Sequence, residues 1–370
     1  MKIWLARPKF YGQEINFLKE SIDQNWIGTV GGKKELFRDE LAQFLHFNKG
    51  INLFNSGTSA LHTALILADV KTGDYVLCST LTFVASANAI CYQGGIPIFV
   101  DSELDTWNMC PETLELALKT LDSKNKLPKA VMLVHVFGIP AKIEAIRIIC
   151  NTYGVKLIED AAGAFGSKVN DQFVGTFGDY GIFSLNANKI ITSGSGGILL
   201  SKSAENQKRI ESLIGHSKEN VNPYEHNEIG FNFGMNNLSV AVARAQLAFF
   251  DSIMSEKKQI YLTYKKQLTG LEFVKDRANV GLNHWLSCVL FHSEDTKIKV
   301  FKALEQSSIQ SRYFWKPMHM QNLYKDCTSF LNGNSEQLFR LGLSMPSDIN
   351  MNSEEQQFVI DKVKSITDLG

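Results

Sequence analysis

The sequence lacks a cysteine-pairing pattern, an excess of either charge and any long apolar run. Its six cysteines (Cys78, Cys91, Cys110, Cys150, Cys288 and Cys327) are scattered, with no C-x-x-C spacing. This argues against structural zinc and a dense disulfide frame, and it fits a reducing, cytoplasmic setting. Lys+Arg and Asp+Glu each number 38, so the formal charge cancels. Non-specific binding to nucleic acid rests on many Lys/Arg–phosphate contacts, so no nucleic-acid partner is expected. Apolar segments such as 129–137 are short and bounded by Lys, Gly and Pro. They fall well below the ~20 residues that cross a bilayer. Arg7, Pro8 and Lys9 interrupt the first apolar run too early for a signal peptide, so no membrane partner is expected either. Low-complexity tracts and internal repeats are also missing.

What is present is a chain of 370 residues, 44% hydrophobic and 21% charged. Those are ordinary globular proportions, which exclude a disordered chain, a fibrous repeat and a coiled coil. At ~150 residues per domain the length suggests two or three units, or one large α/β domain with an attachment. From about residue 50 to 200, short apolar runs alternate with helical stretches. Strands are expected at 51–54, 75–78, 96–100, 130–136 and 155–159, and helices at 59–67, 82–92, 111–121 and 142–153. Strand–helix alternation with fully apolar strands implies an α/β fold with a mainly parallel sheet flanked by helices. After Gly230 this rhythm stops. A long helical run over 237–254, continued or followed over 255–268, precedes a strand at 285–291 and helices at 297–306 and 353–363. The expected organisation is a large domain over 1–250 and a smaller α+β domain over 251–370.

Eight glycines (Gly163, Gly166, Gly175, Gly178, Gly181, Gly194, Gly196 and Gly197) crowd into one stretch. Glycine tolerates positive φ, so the ordinary reading is a loop-rich segment with tight turns. Within it, Ser184-Leu-Asn-Ala-Asn-Lys189 sets one lysine among small and polar residues just before a Gly-rich turn. A lysine with a lowered pKa in a dry pocket can form a Schiff base with a carbonyl, although most lone lysines are solvated surface charges. Asp160 closes the apolar run 155–159, and strand carboxyl ends are where open α/β sheets collect ligands. Pyridoxal 5′-phosphate (PLP) needs a Schiff-base lysine, a carboxylate for its pyridine nitrogen and a phosphate cup. Lys189 and Asp160 can supply the first two. Asn55-Ser56-Gly57-Thr58-Ser59, a turn entering a helix, can supply the third, though alone it reads as an N-cap.

With these elements the chain resembles the DegT/DnrJ/StrS family of PLP-dependent sugar-nucleotide aminotransferases, of fold-type I. The likeness covers nearly the whole chain. It rests on Asn55–Ser59, Thr80–Ser86, Pro97–Asp101, Glu159–Ala162, Gly175–Gly178, Ser184–Lys189 with Gly194–Gly197, and Phe231–Asn237. Asp105–Met109 and Trp315–His319 are similar to the subgroup that aminates C4 of UDP-4-keto-6-deoxy-N-acetylglucosamine. The resemblance implies that Lys189 is the Schiff-base lysine and proton shuttle, and that Asp160 pairs with the pyridine nitrogen. It implies that Phe83 stacks on the cofactor, and that Gly57, Thr58, Ser59 and Ser184 hold its phosphate. Asn232 would reach the phosphate of a neighbouring subunit in a homodimer with shared sites. Arg312, Trp315, Lys316 and His319 would contact the nucleotide sugar. The implied reaction moves an amino group from L-glutamate (or glutamine) to the keto carbon of a nucleotide-linked 4-keto-6-deoxy sugar, for surface polysaccharide or glycan biosynthesis. Gly163, Gly234-Met235 and Ile139 depart from the family, which usually has Gln, His or Glu, often Arg-Met, and commonly a polar residue there. Two other readings stay open: a different PLP reaction on a sugar nucleotide, and a non-catalytic PLP-fold or sugar-nucleotide-binding regulator. Family 3-dehydratases carry His in place of the lysine, so Lys189 argues against that reaction.

Overall fold

The computed structural model describes residues 2–203, 205–219 and 221–367. Helices α1 (Gln13–Asp23) and α2 (Lys33–Leu45) lead into an alternating series. It comprises β1 (Gly50–Phe54), α3 (Gly57–Leu67), β2 (Tyr75–Ser79), α4 (Val84–Tyr92), β3 (Ile96–Val100), α5 (Pro111–Asp122), β4 (Ala130–Val134), α6 (Ile143–Thr152) and β5 (Lys156–Asp160). The short strands β6 (Lys168–Val169) and β7 (Gln172–Phe173) precede β8 (Tyr180–Ser184), β9 (Gly197–Ser201) and α7 (Asn206–Ile214). Helices α8 (Asn237–Ala248) and α9 (Phe250–Gln267) then lead to β10 (Val280–Gly281), β11 (Ser287–Leu290) and α10 (Glu294–Gln306). The chain closes through β12 (Arg312–Tyr313), β13 (Ser329–Phe330), α11 (Asn334–Leu341), β14 (Gly342–Met345) and α12 (Ser353–Thr367).

Eight strands make one sheet in the order β1-β9-β8-β5-β4-β2-β3-β13. The run from β8 to β13 is parallel throughout, and β9 is antiparallel to both its neighbours. The α/β fold with a mainly parallel sheet therefore stands. Side chains alternate across it, as the period of a strand requires. Val131 and Leu133 of β4 join one apolar layer with Leu77, Leu157 and Ile198. Ala130 and Met132 join the opposite layer with Val76, Ile158 and Leu199. Both faces are covered, which is why these strands read as continuous apolar runs.

Three local features differ from the sequence-based reading. The glycine-rich stretch holds two buried strands, β8 and β9, as well as turns. The helical run over 237–254 is two helices broken at Phe249, whose φ is −104° and ψ 13°. The break lets Phe249 stack on Tyr11 at 4.4 Å while Phe250 turns into a cluster with Phe44 and Phe165. Strand β4 ends at Val134, and a turn with Phe137 at φ 54° follows.

From α9 onward the chain builds a second core, in which Tyr264, Val289, Val300, Leu343 and Val359 pack together with Ile3. Its sheet is β11-β14-β12, antiparallel. The separation along the chain is not clean, because β13 returns to the large sheet and pairs with β3. No helix among the described residues is long and apolar enough to cross a membrane.

Candidate active site

The residues at and beyond the carboxyl ends of β2, β4, β5 and β8, with the start of α3, surround one cavity of about 510 Å3. This is where an open parallel sheet leaves a crevice between its connections. Thr82 and Phe83 follow β2, His135 follows β4, Asp160 ends β5 and Ser184 ends β8.

The first wall is the start of α3. Ser56 is extended and caps the helix, its Oγ accepting the Ser59 N–H at 3.1 Å. Among the described residues, the Gly57 and Thr58 amides have no acceptor. Free first-turn amides at the positive end of a helix suit an anion. Ser56, Gly57, Thr58 and Ser184 line the cavity. Ser59 does not. Its hydroxyl donates inside the turn, to Asn55 Oδ1 at 2.7 Å and the Ser56 carbonyl at 2.8 Å. Gly197 must lack a side chain, because a Cβ there would lie 2.3 Å from the Ser56 carbonyl oxygen.

The second wall holds the charges. Asp160 is almost fully buried and line by line satisfied: Ser86 Oγ donates to Oδ2 at 2.7 Å, and the Ala162 N–H to Oδ1 at 3.1 Å. Ser86 in turn lies 2.8 Å from Thr82 Oγ1. Lys189 borders the cavity with part of its side chain and tucks its Nζ 3.8 Å from the centroid of the Trp285 ring. Burial holds its ammonium down to about 8, against the opposing pull of the Asp160 charge. An amine so lowered is partly neutral near neutral pH, and so able to act as nucleophile and base.

Beneath Asp160, Glu159 anchors the strand end. It is fully buried and accepts the amides of Gly175, Phe177 and Gly178 at 2.8, 2.7 and 2.6 Å. His135 Nδ1 accepts the Ala141 N–H at 3.1 Å, which makes Nε2 the protonated nitrogen, and Nε2 donates to Glu159 at 2.9 Å.

The outer residues divide. Phe83, which is 56% exposed, presents its ring to the cavity 6.0 Å from Trp315. Arg312 and Trp315 also line it. Arg312 is exposed, and its guanidinium bonds among the described residues only to the Ser311 carbonyl, at 3.0 Å. Lys316 is exposed and lies outside the lining. His319 is outside as well, its Nδ1 2.7 Å from Thr80 Oγ1 and its Nε2 3.4 Å from Glu336. Asn232 is exposed and does not reach this cavity; its carbonyl accepts from Asn55 Nδ2.

The DegT/DnrJ/EryC1/StrS aminotransferase family matches residues 9–364. The chain belongs to this family. EpsN of Bacillus subtilis (strain 168), whose name includes the words "pyridoxal phosphate-dependent aminotransferase", is 37% identical over 97% of this chain and 94% of its own. The GDP-perosamine synthase of Escherichia coli O157:H7 is 32% identical over 96% of each. The crystal structure of a DegT DnrJ EryC1 StrS aminotransferase from Brucella abortus superposes with a TM-score of 0.89 at 25% identity, over 96% of this chain and 95% of that one. The protein is thus a sugar aminotransferase, and its cofactor is PLP.

The cavity fits that cofactor on its own chemistry. It offers an amine kept partly neutral by burial, a carboxylate with fixed donors on both oxygens, free helix-start amides for a phosphate, and an exposed aromatic ring. Ser56 stands out in the sequence only as part of the Asn55–Ser59 turn, and Ser86, His135, Asn283 and Trp285 carry no individual role there. Ser86 bonds a partner 74 positions away, and a linear pattern carries no trace of that separation.

Proposed function

We propose that this aminotransferase moves an amino group from L-glutamate to C4 of a nucleotide-linked 4-keto-6-deoxy sugar, within a homodimer whose sites are shared. The observation that carries the reading is that Lys189 and Asp160 line one cavity together with Arg312, whose guanidinium bonds among the described residues only to the Ser311 carbonyl.

When bound, PLP supplies an electron sink that stabilises negative charge developing on the amino-bearing carbon. The protein's own groups do the rest. Asp160, fixed by Ser86 and Ala162, would pair with the pyridine nitrogen and keep its proton in place. The amides of Gly57 and Thr58, with the hydroxyls of Thr58 and Ser184, would hold the phosphate. Phe83 would cover the ring. Lys189 would be the amine that holds the cofactor through its carbonyl and, once freed by the amino donor, the base that would move the proton. Its lowered pKa suits both duties. Arg312 holds the sugar diphosphate through charge-assisted hydrogen bonds.

The name of the perosamine synthase relative, at 32% identity, supports a nucleotide sugar as the acceptor. Asn232 is exposed and away from its own cavity, which suits a residue that serves the partner's phosphate. The test is a panel of UDP-, GDP- and dTDP-linked keto-sugars incubated with the PLP-loaded protein and L-glutamate. One nucleotide 4-keto-6-deoxy sugar should be aminated at C4 and 2-oxoglutarate released. Amination at C3 alone, or of no member of the panel, overturns the substrate assignment. A monomer in solution overturns the shared site.

A further inference from the structure

Position 163 follows Asp160-Ala-Ala and is a glycine, and the space beside it is filled by a residue from far along the chain. A Cβ at Gly163 would lie 2.7 Å from Cε3 and 2.8 Å from Cζ3 of Trp285. The Lys189 Nζ lies 3.8 Å from the centroid of the same ring. Trp285 is almost fully buried and fixed at three points. Its indole N–H donates to the Asn188 carbonyl at 2.6 Å. Its backbone N–H donates to Asn283 Oδ1 at 2.9 Å, while Asn283 Nδ2 donates to the Gly163 carbonyl at 2.8 Å. Its carbonyl accepts from the buried Lys257 Nζ at 3.2 Å. The ring itself is held by its bond to Asn188, the residue immediately before the lysine, and the backbone on both sides of it is pinned.

We propose that Trp285 is a positioning residue for Lys189: its indole face is the resting place of the free ε-ammonium, and Gly163 is glycine so that this face can reach the lysine. The inference rests on Lys189 being the amine that binds the cofactor. In a reaction of two halves that amine is repeatedly displaced, and it must remain beside the reacting carbon without falling back to solvent or locking onto Asp160. A tryptophan face attracts a cation without accepting a hydrogen bond, and it is the strongest of the aromatic faces in this role. It stabilises the ammonium yet leaves the nitrogen lone pair, once the proton is gone, unobstructed by any acceptor. The other titratable groups around the same cavity are Asp160, His135, Arg312 and Tyr313. Among these Asp160 acts on the Lys189 charge.

The experiment uses the full chain, freed of cofactor, and measures the titration of Lys189 by competitive acylation across pH with peptide mass spectrometry. Trp285→Leu keeps the site apolar but removes the π face, so the Lys189 pKa should fall further, by roughly half a unit to one unit. Trp285→Phe keeps a weaker face and should fall between Leu and wild type. A space-filling role alone gives Leu and Phe the same titration as wild type, and that result overturns the proposal. Gly163→Ala guards against a general folding defect. It should lower the melting temperature in the wild-type background and lower it much less in the Trp285→Leu background, since the added methyl then meets no ring. Additive losses overturn the role given to Gly163. Borohydride reduction of the PLP-loaded wild type separates the two levels: if the cofactor is not fixed to Lys189, the underlying reading fails, whatever the titrations show.

Discussion

Replacing Glu159 by glutamine tests how the strand end beneath the cofactor site is held. The change is nearly isosteric, so packing is kept and only hydrogen bonding and charge differ. The Glu159 carboxylate accepts four bonds, from the Gly175, Phe177 and Gly178 amides and from His135 Nε2. In the amide, one oxygen can still serve Phe177 and Gly178, as a neutral acceptor. The new –NH2 then faces two donors, the Gly175 N–H and His135 Nε2–H. His135 cannot simply change tautomer, because its Nδ1 already accepts from Ala141. Hydrogen bonds to charged groups contribute about 1.5–3 kcal/mol against about 1 for neutral ones, and a buried unsatisfied donor costs about 1–3. Two bonds weakened by about 1 kcal/mol each and one or two stranded donors at about 2 kcal/mol each sum to about 4–6 kcal/mol. The smaller desolvation of a neutral group offsets part of this, leaving a loss of about 2–4 kcal/mol. That is a large share of an ordinary stability of about 5–15 kcal/mol. Equilibrium urea unfolding, followed by far-UV circular dichroism and tryptophan fluorescence, should show the loss with an unchanged urea dependence. A change below about 1 kcal/mol would refute the reasoning, since it would mean that the carboxylate is not the anchor of the 175–178 turn.

Other outcomes follow from the same geometry. Lys189→Ala should abolish the visible band that PLP gives with the wild type, measured by absorbance, while leaving the fold intact by circular dichroism. Since the Lys189 ammonium titrates at about 8 and only the neutral amine attacks a carbonyl, PLP capture by the cofactor-free chain should accelerate up to about pH 8 and then level off; stopped-flow rates still climbing toward 10.5 would indicate a solvated lysine. Lys257, also held down to about 8 by burial, binds its proton less tightly folded than unfolded, as does Lys189. Their cost is full below about pH 8 and is relieved as pH rises toward 10.5, so from these two groups the cofactor-free chain should gain stability over that interval, as read from urea midpoints. Arg312→Ala should raise KM for the nucleotide sugar about tenfold or more with little change in KM for the amino donor, and added salt should narrow the gap, as read from steady-state kinetics.

Much of the architecture was legible in the sequence because fully buried parallel strands are apolar throughout. The strands from β1 to β5 and the helices between them fall within a residue or two of the expected bounds. Strands β8 and β9 were hidden because glycines at 181 and 197 serve close approaches that any pattern of turns would also explain. The break at Phe249 was hidden because apolar residues continue on both sides of it, and only stacking on Tyr11 decides where the first helix stops. In the site, the residue types of Lys189 and Asp160 stood out for the chemistry they can do. Which serine caps α3 and which faces the cavity did not, since Ser56 and Ser59 differ only by where the backbone turns. Trp285 read as the start of a strand. Its role depends on the Gly163 backbone and on Asn188, contacts that spacing along a chain does not encode.

The central claim is that this chain transfers nitrogen from an amino acid to a nucleotide sugar through Lys189. It is tested most directly by loading the protein with PLP, treating it with nitrogen-15-labelled L-glutamate, removing all free glutamate by gel filtration, and adding a nucleotide-linked 4-keto-6-deoxy sugar. One equivalent of sugar carrying the label at C4 is expected per active site, seen by mass spectrometry and NMR, and none with Lys189→Ala. Release of 2-oxoglutarate with no label in any sugar, or labelled product from Lys189→Ala, would contradict it.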